Sequence, residues 1–246
     1  MERIVRKLGV VLKTSEYKEN AMLVKLLTKD GIEQIIVRGA QKYEGKTKVL
    51  TNLLQLLDFN RTNYLSVNTL TEAVVVNSYY KISSDVIKYN IACVMLEKIL
   101  ILQASITDYN LLFDFVIEIF NLLENTTYPK VLLNIFELRL TYLLGIGMAF
   151  KECLKCKAKD NLSFSIREGG TLCNNHRHSF MDLTVEETNL VKMLYLYNIS
   201  KIDEEFLSNF ERFFNKIDYF INIYYSDYLD FRSKAKTILY KLLSYK

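Results

Sequence analysis

Residues 9–38 read GVVLKTSEYKENAMLVKLLTKDGIEQIIVR, and this run decides the fold class. Its apolar residues fall into short, partly alternating stretches at 9–15, 21–28 and 33–38, the pattern of half-buried strands rather than of a helix. The tripeptide Lys29-Asp30-Gly31 supplies a tight connection between the second and third. Moving outward, the same reading continues through 50–60 and 64–78, joined by Arg61-Thr62-Asn63, and a polar loop over 39–48 carries Lys42, Lys46 and Lys48. Five short strands with a basic loop fit a small Greek-key barrel of the oligonucleotide-binding (OB-fold) type.

After Tyr80 the periodicity changes to long apolar stripes at helical spacing, over 84–103, 108–124 and 129–144, with Ser84, Asp108 and Pro129 as start signals and Gly145-Ile146-Gly147 as a stop. Beyond a cysteine-containing insert, 184–197 opens with Thr184 and Glu187 in capping-box spacing, and two more helices are expected over 203–224 and 227–243. Phe113, Phe120, Phe213 and Phe220 read as core. Strands first and helices afterwards predict an α+β chain. The expected layout is an N-terminal five-stranded OB-fold barrel over 1–80, followed by an all-α domain over 81–246 with the cysteine-containing insert embedded at about 150–180.

The 246 residues are half apolar, enough for a core without disulfides. The net charge of +4 is unevenly spread: residues 1–80 hold twelve Lys and Arg against eight Asp and Glu, and the rest holds twenty of each. A surplus confined to the barrel is the footprint of a polyanion-binding module. The N-terminus lacks the apolar stretch of a secretory signal, so a cytoplasmic, nucleoid-associated protein is expected. The apolar runs 91–106 and 131–150 carry Glu97 with Lys98 and Glu137 with Arg139, which argues for buried helices rather than membrane spans.

The sharpest local signal is Cys153-x-x-Cys156 followed by Cys173-x-x-His176, with His178 as a rival for the last place. Two chelating pairs separated by a turn-bearing insert suit a tetrahedral ion, and four protein donors make a closed, structural zinc site. A redox role for Cys153 and Cys156 lacks a βαβ setting, and Cys93 reads as a buried core residue. Lys151, Lys155, Lys157, Lys159, Arg167 and Arg177 outnumber the acids around the module, which opens a second route to DNA. Gly45-Lys46-Thr47 ends like a phosphate-binding loop, but Ala40 stands where that motif needs glycine, so nucleotide hydrolysis is not expected. Both histidines sit in the metal cluster and no nucleophile elbow exists, so the chain is expected not to be an enzyme.

Several of these stretches also resemble the RecO family of recombination mediators. The likeness is carried by Gly9-Val10-Val11-Leu12-Lys13-Thr14 with Tyr17-Lys18-Glu19-Asn20, by Arg38-Gly39-Ala40 leading into the lysine-rich loop, by Phe136-Glu137-Leu138-Arg139-Leu140 with Leu143-Leu144-Gly145-Ile146-Gly147, and by Gly169-Gly170 before Cys173. It covers most of the chain and thins after about Asp182. His176 stands where zinc-bearing members usually have a second Cys-x-x-Cys, and Gln41, Tyr43 and Glu44 dilute the basic loop. The resemblance implies an OB-fold, a helical domain and a zinc module. It also implies binding of single- and double-stranded DNA, annealing of complementary strands, and loading of RecA onto DNA covered by single-strand-binding protein, with RecR and sometimes RecF as partners and no membrane. Single-strand binding needs a cationic groove with stacking surfaces. The barrel offers Lys13, Lys25, Arg38, Lys42, Lys46 and Lys48, with Tyr17, Tyr43 and Tyr64. The competing expectation is a protein-interaction scaffold whose helical domain docks a partner while the barrel only packs against it.

Overall fold

The structure, a computed structural model, describes residues 4–41, 47–63 and 68–244. Strands β1 (Ile4–Tyr17), β2 (Ala21–Thr28), β3 (Gly31–Arg38), β4 (Leu56–Thr62) and β5 (Asn68–Asn77) close into a barrel in the order β1-β2-β3-β5-β4. Long β1 serves two neighbours, pairing with β4 through its first half and with β2 through its second. A short parallel contact of β3 with β5, Ile35 with Asn68 and Ile36 with Thr69, shuts the cylinder. This is the five-stranded oligonucleotide-binding topology expected from the alternating pattern.

Val11, Val24, Leu26, Ile35, Val37, Leu57 and Phe59 fill the interior. Gly9 is required there, because a Cβ would lie 2.9 Å from the Phe59 ring and 3.2 Å from Leu26. Between Val11, opposite Leu26, and Lys13, opposite Lys25, the register slips by one residue, and Leu12 forms a β-bulge. The strand expected over 50–60 begins only at Leu56. Lys48–Thr51 is a 3-10 turn, Leu54 is buried with φ at 74°, and its N–H donates to the Val11 carbonyl at 3.0 Å. The run Leu53-Leu54-Gln55-Leu56-Leu57 does not alternate, and Leu54 and Gln55 are already buried before the ladder starts at Leu56. The strand expected from 64 is seen from Asn68; residues 64–67 lie outside the described residues.

Contacts group residues 1–103 with 108–125 into one compact unit and residues 104–107 with 126–246 into another. In the first, α1 (Tyr80–Ser84), α2 (Val86–Ile101) and α3 (Tyr109–Asn125) follow the barrel, α2 lying against β1 and α3 against β2. Asp85 rather than Ser84 caps α2, accepting from the N–H groups of Ile87 at 2.8 Å and Lys88 at 3.0 Å. Asp108 caps α3 as expected, through the N–H of Leu111 at 2.9 Å.

The second unit holds α4 (Pro129–Leu143), the hairpin β6 (Ser163–Ser165) and β7 (Gly170–Leu172), α5 (Val185–Leu196), α6 (Glu204–Ser208), α7 (Phe214–Leu229) and α8 (Lys234–Ser244). Thr184 and Glu187 form the expected capping box of α5. The helix expected over 203–224 is broken: Phe206 stacks on Tyr197 and packs against Phe210, α6 stops at Ser208, and α7 runs on to Leu229. Asp230 in the left-handed region ends α7, so the last helix starts at Lys234 rather than 227, with Ser233 accepting from the Lys236 N–H at 2.9 Å. Arg139 directs its guanidinium to the Leu194 and Tyr197 carbonyls at the end of α5. Among the described residues no helix is long and apolar enough to cross a membrane.

Each unit also contains an ion cluster away from bulk water. At one end of the barrel interior, Glu33 accepts from both Lys7 and Arg61, and Lys7 reaches Asp30 at 2.7 Å. In the helical unit, Lys236 of α8 donates to both oxygens of Glu137 on α4 at 2.9 and 2.7 Å and pairs with Asp218 of α7 at 2.7 Å. Tyr240 donates to Asp218, and Asn222 accepts from Lys236 at 3.0 Å.

Candidate metal cluster and nucleic-acid face

The chelating pairs of the sequence stand on two backbone knuckles joined through the β6–β7 hairpin. In the first, the Lys157 N–H returns to the Cys153 carbonyl at 3.0 Å, with Lys157 itself at φ 66°. In the second, the N–H groups of His176 and Arg177 both return to the Cys173 carbonyl at 2.9 Å. The Leu154 N–H, donating to the Thr171 carbonyl at 3.0 Å, ties the two knuckles together. Gly170 permits the approach, since a Cβ there would lie 2.9 Å from both Ala149 and Leu154. Leu162, Leu172 and Met181 pack beneath Cys153 and Cys173.

The donor atoms of Cys153, Cys156, Cys173 and His176 all lie within 4.8 Å of one another. Cys156 Sγ is 3.6 Å from Cys173 Sγ, and His176 Nδ1 is 3.4 Å from Cys173 Sγ and 3.7 Å from Cys153 Sγ. Metal–sulfur bonds of about 2.3 Å and a metal–nitrogen bond of about 2.0 Å make a tetrahedron with edges of about 3.5–3.8 Å. The donor set therefore fits a four-coordinate ion, and His176 rather than His178 is the fourth member of the group. Desolvation raises the Cys153 thiol, but the backbone groups of Cys173, Cys156 and Lys155 outweigh it and bring its pKa down to about 6, which favours the thiolate that a metal requires.

In the barrel, the ladder register defines an outward face across β1, β2 and β3. Lys13, Lys25 and Gln34 form one cross-strand row, Ser15, Leu23 and Ile36 the next, and Tyr17, Ala21 and Arg38 a third. Lys13, Lys25 and Arg38 thus share a surface on three adjacent strands, with Tyr17 in the row of Arg38, across Ala21. Lys48 is exposed in the 3-10 turn that follows the basic loop. Lys42, Tyr43, Lys46 and Tyr64 lie outside the described residues. Around the metal cluster, Lys155 pairs with Glu168 and Lys157 with Glu152, so part of the local positive charge is neutralised.

Sequence reasoning missed Glu97, whose α2 side chain lines a cleft with Lys13 and Lys25. It also missed the Lys7–Glu33–Arg61 cluster, whose signal was present: Lys7 stands in phase with inward-facing Gly9 and Val11. Phe180 escaped notice too, a phenylalanine 85% exposed four residues beyond His176.

Two family models match the chain, described as recombination protein O N terminal over residues 1–79 and recombination protein O C terminal over residues 83–237. Curated relatives named DNA repair protein RecO match nearly end to end. The one from Streptococcus equi subsp. zooepidemicus is 27% identical over 245 residues, covering 96% of this chain and 93% of its own length. The one from Bacillus subtilis is 24% identical over 245 residues, covering 97% and 94%.

Proposed function

The chain belongs to the recombination protein O family, and from that premise we propose that it is a non-enzymatic, DNA-binding recombination mediator. In this reading it binds single- and double-stranded DNA, anneals complementary strands, and with RecR helps load RecA onto DNA coated by single-strand-binding protein, with RecF as a further partner in the nucleoid. The observation that carries the reading is the closed barrel with Lys13, Lys25 and Arg38 on one outward face of β1, β2 and β3. That is where barrels of this topology hold oligonucleotides, tracking phosphates with cations. Lys42, Lys46 and Lys48 belong to the same proposed contact through the loop after β3.

The test is annealing of complementary strands coated with their cognate single-strand-binding protein. With this chain added, annealing is expected to accelerate without nucleotide hydrolysis. No acceleration, together with no shift of a labelled oligonucleotide, would overturn the assignment.

Cys153, Cys156, Cys173 and His176 are proposed to hold one structural zinc ion. All four positions are protein-supplied, which leaves none open for a reacting water. A structural ion's binding energy is folding energy. Protein purified without added metal is therefore expected to carry close to one equivalent, and chelation is expected to lower the melting temperature. Unaltered melting after complete metal removal would count against the site.

A further inference from the structure

The outward row that carries Lys13 and Lys25 ends at a cleft of about 390 Å3 between the barrel and α2, within one compact unit. Its size lies within the range of small-ligand sites, about 300–1,000 Å3. The two lysines stand directly opposite each other across the β1–β2 ladder, where like charges destabilise a sheet. Neither has a hydrogen bond or ion pair with any described residue. The wall behind them is apolar, made by Leu12 and Leu53 of the barrel unit and by Leu96 and Leu100 of α2. Glu97 adds one carboxylate on the α2 side of the cleft, opposite its lysine rim.

We propose that this cleft is a subsite for a single unstacked base of a DNA strand, with the adjoining phosphate shared between Lys13 and Lys25. The inference rests on the DNA-binding reading above and goes further, since it selects unpaired strands. An anion between opposed ammonium groups removes their repulsion, and a leucine-lined slot accepts the face of any base without reading its edge. A base in a duplex must first be unpaired and flipped out of its stack, so duplex DNA binds the outer face without filling the slot. For a protein that anneals strands, such a subsite holds one base apart until its complement arrives.

Cys93 lines the same cleft and gives a direct readout. The full-length protein is treated with a small maleimide and the modification assigned to Cys93 by peptide mass mapping, while strand binding is followed in parallel by anisotropy. A saturating oligothymidylate is expected to suppress Cys93 alkylation, the residual rate following the unbound fraction. An abasic strand of equal length and a duplex are expected to bind yet leave the rate near that of free protein. The double substitution Lys13→Gln, Lys25→Gln is expected to remove the protection and to lower the single-strand salt slope by about 0.7, for the one phosphate contact that the two lysines share. Alkylation unaffected by a bound oligothymidylate would overturn the subsite and leave DNA binding standing. Equal protection by the abasic strand would overturn the insertion of a base. Failure of every strand to bind would overturn both readings.

Discussion

The two units bury the same kinds of ionic group in opposite proportions. In the barrel, one carboxylate, Glu33, is shared by two cations, Lys7 and Arg61. In the helical unit one cation, Lys236, is shared by two carboxylates, Glu137 and Asp218. Their solvent access differs as well. The three barrel side chains keep 11–17% of their surface, whereas Lys236 keeps 3% and Glu137 none. Burial pushes the Glu33 carboxyl up, but hydrogen bonds from Arg61 and Lys7 overcome it and hold its pKa below the usual value. Asp218 goes the other way. Burial raises it, the nearby Glu137 charge adds to the rise, and the shared lysine offsets only part of it. The difference teaches that an ion cluster's response to acid is set by which sign is in the minority, not by how many pairs it contains.

The largest expected effect breaks the helical cluster outright. Lys236→Met takes from Glu137 and Asp218 the cation they share in the interior, and denaturant unfolding should show a loss of about 3–5 kcal/mol. In the barrel, Glu33→Gln takes the shared carboxylate from Lys7 and Arg61, but Lys7 keeps the exposed Asp30 and both cations retain some access to water. The same measurement should show a smaller loss, about 1–3 kcal/mol. If the two substitutions cost the same, solvent access is not what separates the clusters.

Acid sharpens the contrast by sign. Glu33 has a depressed pKa in the folded state, so its contribution is complete above the ordinary glutamate value of 4.5 and is lost as pH falls through the lower folded value. The penalty of Glu33→Gln should therefore shrink below about pH 4.5. Asp218 is raised above its ordinary 3.8, so folding takes up a proton and the wild type gains stability as pH falls through the raised value towards 3.8. Against Asp218→Asn, the wild type should thus improve on acidification, by about 1.4 kcal/mol for each tenfold by which folding strengthens proton binding at that carboxylate. Parallel pH profiles for the two substitutions would refute the assignment of opposite signs.

The barrel was legible because its strands alternate and its turns carry Lys29-Asp30-Gly31, a local signal for a local structure. Where alternation fails, as in Leu53-Leu54-Gln55-Leu56-Leu57, the strand boundary slipped by six residues. The metal group was readable because each chelating pair lies within one knuckle, and only the choice between His176 and His178 needed three dimensions. Neither ion cluster could be assembled from spacing, since Lys7, Glu33 and Arg61 come from three strands and Glu137, Asp218 and Lys236 from three helices. Glu137 did announce itself, as a charge in the middle of an apolar helix. Nothing local pointed to Lys236, ninety-nine residues away, as the partner. The opposition of Lys13 and Lys25 was hidden for another reason: it depends on the ladder register, and so on Leu12.

That one leucine works as a change of step in the chain. Up to Val11 the odd-numbered side chains of β1 face the cylinder; after the bulge the phase reverses, Thr14 lying opposite inward-facing Val24 while Lys13 and Ser15 face out. Deleting that single residue would join Val11 to Lys13 as ordinary ladder neighbours and leave every side chain as far as Tyr17 facing as it does now. Keeping the residue but drawing the strand out flat would instead exchange those destinations, driving an ammonium group and a phenol towards the oily centre. The second half of β1 therefore tolerates a chain one residue shorter at this point better than a chain of the same length without the bulge.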